Sequence, residues 1–386
     1  MRVASMYWPM VLLGFILGLA GCGKKEGGAE GVEVVRIGSV APLTGPQAHL
    51  GKDNENGARL AVEEINAQGL TLGGRPVRLE LIGEDDAADP KTATIVAQKL
   101  SDQGVNAVIG HLNSGTTIPA SKIYHDAGIP QISPSATAIA YTAQGYKTAY
   151  RVMTNDEQQG RVLGEFAVRG MGAKRIAVID DRTAYGQGLA DQFEKAARAV
   201  GGEIIAREFT SDRATDFTAI LTSIKGKNPD VVFFGGMDAQ AGPMTIQMRR
   251  LGFSARLLGG DGVMTSEYLK LAGDSADGVT ASSPGLPIDD MPGGPEFRKK
   301  FESRFGVIQI YAPYAYDAVH VLVDAMRRAD SAEPARVVAA LPATDLKGVT
   351  GQIRFDAKGD TTGGAVTLYQ VKNGKWEVLE TVKSAQ

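Results

Sequence analysis

Two short apolar runs, at residues 105–109 and 129–133, are each followed by a loop rich in serine and threonine. Between them, residues 119–126 have the composition of a helix, and Gly128 marks its end, because glycine commonly terminates helices. The pattern predicts strand, polar loop, helix, strand and polar loop. In an open α/β sheet, both polar loops would leave the carboxyl edge, which is where ligands bind.

The hydroxyl residues of the first loop fit the start of the helix. Ser114, Thr116 and Thr117 can cap a helix that begins near residues 118–119, because side-chain oxygens accept hydrogen bonds from the free N–H groups of a first turn. The same helix end suits an anion such as a carboxylate. Capping alone is the alternative reading of Ser114 and of Thr137 in the second loop.

Strands and helices alternate through most of the chain. The first set of predicted strands comprises residues 32–40, 77–82, 105–109 and 129–133. The alternation starts again at residues 174–180 and continues to about residue 282. This order predicts an α/β fold with mostly parallel sheets and right-handed crossovers, in two units of similar plan.

The last third of the chain has a different pattern. A connector rich in proline and glycine, residues 284–295, precedes predicted helices at 296–305, 312–329 and 335–341. Alternating apolar residues then predict strands at 351–355, 365–371 and 375–382, with a turn at Asn373-Gly374. These elements are too few for a third domain, so we expect them to complete the first two units.

The amino terminus reads as an export signal. Arg2 precedes an apolar run at residues 8–20, which is too short for a good membrane span. The tetrad that ends at Cys22 resembles a bacterial lipobox, in which the cysteine is lipidated; an ordinary signal peptide with a chance cysteine is the alternative. We expect a signal peptide at 1–22, a flexible tether at 23–31, and a body on the periplasmic or cell-surface side that is lipid-anchored through Cys22.

Composition argues against several classes of function. A net charge of −3 gives no bulk attraction to nucleic acid, and four histidines with one cysteine offer little for a metal site. Phosphate-binding, nucleophile-elbow and zinc-protease motifs are missing from the sequence, so we expect no catalytic residue, no metal and no cofactor. The adjacent pairs Asp85-Asp86 and Asp180-Asp181 would point to opposite faces, and His111 fits an orienting hydrogen bond better than metal binding.

Six short motifs occur in order along the chain and together resemble the branched-chain amino-acid-binding proteins of ABC transporters, which are type I periplasmic binding proteins. They are Ala41-Pro42-Leu43-Thr44-Gly45, Asp85-Asp86-Ala87-Ala88-Asp89-Pro90, Val108-Ile109-Gly110-His111-Leu112 with Ser114, Ile132-Ser133-Pro134-Ser135-Ala136-Thr137, Tyr185-Gly186-Gln187-Gly188 and Gly260-Asp261-Gly262. The resemblance implies two Rossmann-like lobes with parallel central sheets, joined by a three-segment hinge. On this basis, lobe I comprises residues 32–154 and 285–364, and lobe II comprises 155–284 and 365–386.

The resemblance also implies a ligand site. Its residues would be Ser114, Ser135, Ala136, Thr137, Tyr185, Asp261, Met237 and Leu50. The hydroxyls of Ser114, Ser135 and Thr137 would receive the α-carboxylate and part of the ammonium, and Asp261 would face the ammonium. Tyr185 would cover the ligand; packing within its loop is the alternative role for this side chain.

Several positions depart from the family pattern. Leu50 stands where an aromatic residue is common, Met237 replaces a tyrosine of some members, and Asp261 replaces a longer glutamate. A disulfide of some relatives is absent, since its positions read Ala88 and Asn113. The more aliphatic pocket favours leucine, isoleucine or valine as the ligand, and leaves open an amide or urea-like solute.

The function that the resemblance implies is capture of an amino acid by hinge closure and delivery to ABC permease subunits. We expect a monomer that contacts the membrane only through its lipid. A ligand-sensing module for a receptor is the alternative, and an exported α/β enzyme is a third reading that the missing motifs disfavour.

Overall fold

The computed structural model describes residues 32–383. The predicted signal peptide, the tether and Cys22 lie outside these residues. Within the described part of the chain, no helix has both the length and the apolar character needed to cross a membrane.

The chain alternates strands and helices as far as residue 284. The strands are β1 (Glu33–Ala41), β2 (Leu70–Leu72), β3 (Arg75–Asp85), β4 (Ala107–Gly110), β5 (Gln131–Ser133), β6 (Ala149–Arg151), β7 (Arg175–Asp180), β8 (Glu203–Phe209), β9 (Val231–Gly235), β10 (Arg256–Gly259), β11 (Thr280–Pro284), β12 (Leu346–Lys347), β13 (Gln352–Ile353), β14 (Ala365–Lys372) and β15 (Lys375–Lys383). The helices are α1 (Ala48–Gln68), α2 (Pro90–Asp102), α3 (Ser114–Asp126), α4 (Ala140–Ala143), α5 (Asp156–Glu165), α6 (Ala184–Ala199), α7 (Thr218–Lys225), α8 (Asp238–Arg250), α9 (Ser266–Ala272), α10 (Gly294–Phe305), α11 (Ala312–Ala329) and α12 (Pro334–Ala340).

A six-stranded sheet with the order β2-β3-β1-β4-β5-β6 forms the centre of the first lobe. Its strands pair in parallel except for the β2–β3 hairpin. Because β1 lies between β3 and β4, the direction of the strand order reverses beside β1. Such a switch point opens a crevice at the carboxyl edge of a sheet.

A seven-stranded sheet with the order β15-β14-β11-β10-β9-β7-β8 forms the centre of the second lobe. Strands β7 to β11 pair in parallel, and β14 and β15 add an antiparallel edge. Strand β9 is buried along its whole length, as its continuous apolar sequence requires for a central parallel strand.

The chain passes between the two sheets three times. It leaves the first lobe after β6, returns after β11, and enters the second lobe again before β14. The return is visible in α11, which packs against α1 and against strands β4 and β5. Elements late in the sequence therefore complete both lobes, as the sequence predicts.

Three sequence predictions need correction. Helix α3 begins at Ser114 and carries Pro119 inside it, four residues before the expected start. The hydroxyls of Thr116 and Thr117 donate to the carbonyl of Asn113, at 3.0 and 2.8 Å, so they do not cap N–H groups. The strand expected at residues 351–355 is shorter and pairs with β12, away from the C-terminal strands.

The predicted C-terminal hairpin is confirmed. Strands β14 and β15 pair antiparallel through the turn at Asn373-Gly374. Both turn residues have positive φ, at 51° and 71°, which is the backbone geometry of a two-residue hairpin turn.

Candidate functional site

Residues from the carboxyl edges of both sheets line one small cavity. On the first lobe, the loops after β4 and β5 contribute, together with the segment before α11. On the second lobe, the segments after β7, β9 and β10 contribute. The lining residues are Leu112, Asn113, Ser114, Ser135, Tyr185, Met237, Asp261 and Tyr311.

Two serines form the first-lobe wall. Ser114 is the first residue of α3, and its hydroxyl accepts a 3.1 Å hydrogen bond from the N–H of Ala138. Ser135 donates to the carbonyl of Leu112 and accepts from Nδ2 of Asn54, both at 3.1 Å. The second loop is thus tied to the start of α3, which offers N–H groups and the positive end of its dipole to an anion.

Ala136 and Thr137 are buried beside this wall but do not line the cavity. The carbonyl of Ala136 accepts a 2.8 Å hydrogen bond from Arg151. The buried hydroxyl of Thr137 and both carboxylate oxygens of Asp156 lack a well-formed hydrogen bond within the described residues. Burial raises the pKa of Asp156 to about 8, and the nearby charge of Asp261 adds to this, whereas Thr137 and Arg151 oppose it.

Asp261 is the central acidic group of the second-lobe wall. Its Oδ1 accepts hydrogen bonds from the phenol of Tyr185 at 2.8 Å and from Nε2 of Gln159 at 3.0 Å. Its Oδ2 accepts one from the phenol of Tyr311 at 2.7 Å. Burial raises the pKa of Asp261, and the three donors counteract that rise by stabilising the carboxylate.

The two tyrosines remain hydrogen-bond donors. Burial, reinforced by the charge of Asp261, raises the pKa of Tyr185 and of Tyr311 well above the ordinary value. The phenol of Tyr185 also accepts from the N–H of Gly262 at 3.0 Å. A Cβ on Gly262 would lie 2.7 Å from Sδ of Met237, so glycine is needed for these groups to approach one another.

The two residues expected to contact the ligand side chain are placed differently. Met237 lines the cavity immediately before α8. Leu50 is fully buried in the hydrophobic core and is not among the cavity-lining residues. An aliphatic residue on α1 can serve core packing without reaching the cleft.

Sequence reasoning missed four polar groups around the cavity. Tyr311 sits in an apolar run, and Gln159 and Asp156 belong to a polar run that reads as an ordinary helix start. His49, which carries no motif, bonds across the cleft to Asp238. A polar run at the start of α5, just after the chain leaves the first lobe, was the one usable signal.

The remaining sequence-selected polar residues have structural partners. His111 is buried, with Nδ1 2.8 Å from Asp86 and Nε2 3.0 Å from the phenol of Tyr124. Asp85 accepts hydrogen bonds from Leu43 and Thr44 instead, so the two adjacent carboxylates do serve different faces. No group of three or more metal-ligating side chains is found in residues 32–383.

A larger cavity, of about 640 Å³, lies at the segments that cross between the lobes. Its described lining includes Met153, Leu286 and Gly364, and offers no carboxylate. The smaller cavity combines serine hydroxyls and a helix amino terminus on one wall with a carboxylate on the other. This arrangement complements a zwitterion, because the anionic and cationic ends of such a molecule need opposite partners.

Comparison with known proteins agrees with the fold. The sequence model of the family described as "Periplasmic binding protein" matches residues 34–375. The chain is 36% identical over 352 residues to Leu/Ile/Val-binding protein homolog 1 of Brucella abortus, covering 91% of this chain and 92% of that protein. It is 35% identical to the leucine-, isoleucine-, valine-, threonine- and alanine-binding protein of Pseudomonas aeruginosa, covering 88% and 90%.

Solved structures are also similar. The branched-chain amino acid transporter substrate-binding protein of Streptococcus pneumoniae, in complex with isoleucine, matches with a TM-score of 0.83 at 29% identity. The match covers 91% of this chain and all of that chain. A leucine-binding protein from Thermotoga maritima matches with a TM-score of 0.84 at 27% identity, covering 90% and 98%.

Proposed function

Because this chain belongs to the periplasmic binding protein family, we propose that it is the extracytoplasmic binding component of an ABC importer and captures a branched-chain amino acid between its lobes. The observation that carries the proposal is the carboxylate of Asp261, which three donors hold opposite the serine wall. The names of the relatives, several of which are Leu/Ile/Val-binding proteins, support an aliphatic ligand.

The ligand's α-ammonium would lie against Asp261. Its α-carboxylate would lie at Ser114 and Ser135, with the buried hydroxyl of Thr137 beside them. Charge-assisted hydrogen bonds of this kind contribute about 1.5–3 kcal/mol each. The side chain would meet Met237, whose unbranched thioether adapts to aliphatic groups of different shape.

Capture would proceed by hinge closure. We take lobe I as residues 32–154 and 285–364, and lobe II as residues 155–284 and 365–386. A ligand that touches Ser114 on one lobe and Asp261 on the other binds the closed state more tightly, and so shifts the equilibrium toward closure. No catalytic residue is assigned.

A thermal-shift panel of all amino acids, small amides and urea tests the proposal on the chain carrying Cys22→Ser. A ligand that binds only the folded state stabilises it by about 2.7 kcal/mol at a roughly hundredfold excess over Kd. We expect leucine, isoleucine and valine to raise Tm, and Asp261→Asn to remove that shift. Asp274→Asn, at an exposed second-lobe aspartate, is the matched control and should retain it.

A folded sample that responds to no amino acid would refute the amino-acid assignment. A response to amides or urea alone would redirect the site to an uncharged solute, and Asp261 would then lack the role proposed here.

The anchor is a separate proposal. We propose that Cys22 is lipidated and that residues 23–31 tether the body beside the permease. The Cys22→Ser chain should move from the membrane fraction to the soluble fraction on cell fractionation. An unchanged distribution would contradict lipid attachment at Cys22 without affecting the ligand site.

A further inference from the structure

One ion-pairing contact crosses the cleft outside the ligand cavity. Nε2 of His49, on α1 of the first lobe, lies 2.8 Å from Oδ2 of Asp238, the first residue of α8 in the second lobe. The carboxylate is fully buried and the imidazole is 19% exposed. Neither residue lines the cavity, although Met237, which precedes Asp238, does.

The second lobe holds Asp238 in position by itself. The hydroxyl of Thr265 donates to Oδ2 of Asp238 at 2.6 Å, and the N–H of Asp238 donates to the carbonyl of Gly262 at 2.8 Å. The other carboxylate oxygen is buried and has no hydrogen-bond partner in the described residues. Opening the cleft would separate His49 from a carboxylate that stays where it is.

We propose that His49 and Asp238 form a latch across the cleft, which holds the lobes closed over the ligand and is strongest when His49 carries a proton. The latch rests on the proposed function, since it acts on capture by closure. His49 and Asp238 are positioning residues in this scheme, because they act on the ligand only through the approach of the lobes.

The charges around His49 favour its protonated form. Burial lowers its pKa, but Asp238, the charge of Glu267 and the carbonyl of Pro46 together raise the pKa above the ordinary value. Glu267 belongs to α9, where it also pairs with Lys270 at 2.8 Å. Nearby on the same cleft, Ser266 donates to Gln309 at 2.8 Å, an interlobe bond between uncharged groups.

The sign of the pH dependence follows from this arrangement. Asp238 contributes to the raised pKa of His49, and opening the cleft would remove that contact, so the closed form would bind the proton more tightly than the open one. The ion pair between His49 and Asp238 is fully present below the pKa that His49 has in the open form. It is lost as the pH rises through the pKa that His49 has in the closed form. Ligand affinity should therefore increase as the pH falls from about 8 to about 6, the range in which histidine titrates.

Calorimetric titration of leucine at several pH values tests the latch. In the wild type we expect Kd to be about fivefold lower at acidic pH than at alkaline pH, the lower end of typical coupling factors. His49→Gln should remove the part of that dependence that comes from His49. Asp156 also titrates in this range but is present in both proteins, so the difference between them isolates His49.

His125→Gln is the matched control. His125 is also in the first lobe, where it stacks on Tyr146, and its removal should leave the pH slope unchanged. In a double-mutant cycle at low pH, the effects of His49→Gln and Asp238→Asn should be strongly non-additive. If His49→Gln keeps the wild-type dependence of Kd on pH, the latch is wrong. Additive effects in the double-mutant cycle would also contradict it.

A second measurement does not need the ligand. Spin labels at Ile95→Cys and Lys195→Cys, two exposed positions on α2 and α6, report the distance between the lobes in the Cys22→Ser chain. The closed population should grow as the pH falls in the wild type and not in His49→Gln. If leucine does not bind at all, the proposed function fails, and this distance alone decides the latch.

Discussion

The phenol of Tyr311 donates a 2.7 Å hydrogen bond to Oδ2 of Asp261 from the opposite lobe. Tyr311 immediately precedes α11, which packs on the first lobe, whereas Asp261 follows β10 in the second. Tyr185, from the same lobe as Asp261, occupies the other carboxylate oxygen at 2.8 Å. Donors from both lobes therefore bind the Asp261 carboxylate, the group that we propose contacts the ligand's ammonium.

Removing either phenol should weaken leucine binding, but only one removal should affect closure. Tyr311→Phe and Tyr185→Phe each delete one hydrogen bond to a charged group, worth about 1.5 kcal/mol, or roughly tenfold in Kd. Interlobe distances between spin labels should shift toward the open form in Tyr311→Phe alone. Equal shifts in both variants would show that the Tyr311 bond is not a closure contact.

Truncating Leu50 and Met237 should give opposite kinds of effect. Leu50→Ala opens a cavity in the core, so we expect a loss of about 2–5 kcal/mol in the free energy of unfolding, with the order of preference among leucine, isoleucine and valine preserved. Met237→Ala enlarges the ligand cavity, so that order should change while stability falls less. Urea titration and calorimetry with the three amino acids measure both. A changed ligand preference in Leu50→Ala would restore that residue to the site.

Local sequence patterns indicated the sheets and the serines of the first-lobe wall, but not Tyr311 or His49 of the same lobe. Ser114 and Ser135 follow strands whose order is readable from apolar runs, so the carboxyl-edge rule places them together. The position of Tyr311 depends on how α11 returns to the first lobe, and the contact of His49 with Asp238 depends on how far the lobes close. No local sequence pattern contains either. The start of α3 was misplaced because Pro119 looks like a first-turn residue, while in the structure it lies inside the helix.

Asp156 should make stability depend on pH. Its pKa is raised by burial from 3.8 to about 8, so the folded protein binds this proton more tightly than the unfolded chain. The resulting stabilisation is complete below the unfolded value and is lost as the pH rises through about 8. In Asp156→Asn the side chain is neutral at every pH, so the stability of this variant should not fall for this reason.

Melting curves between about pH 5 and 9 test this expectation. The Tm of the wild type should fall relative to that of Asp156→Asn by at least about 2–4 °C, the shift that about 1 kcal/mol produces. Asp181 and Asp317, whose pKa values are raised to about 6, are present in both proteins and cancel. Parallel curves would mean that Asp156 is ionised in the folded protein across this range.

Asp53 should control both stability and the position of Tyr311. Its buried carboxylate accepts N–H hydrogen bonds from four consecutive residues that lead into α11: Gln309, Ile310, Tyr311 and Ala312, at 2.7–3.1 Å. Asp53→Asn places an amide against these donors, so some of them lose their acceptor inside the protein. We expect a loss of about 3 kcal/mol or more in the free energy of unfolding, because each unsatisfied buried donor costs about 1–3 kcal/mol.

Asp89→Asn is the matched control for Asp53→Asn. Asp89 caps α2 by accepting from the N–H of Thr92 at 2.7 Å, in a more exposed setting, and asparagine caps helices about as well as aspartate. Urea titration should therefore show a clear loss for Asp53→Asn and almost none for Asp89→Asn, and leucine affinity should fall only in the former. Equal stability losses, or an unchanged leucine affinity in Asp53→Asn, would mean that Asp53 does not hold Tyr311 in its place against Asp261.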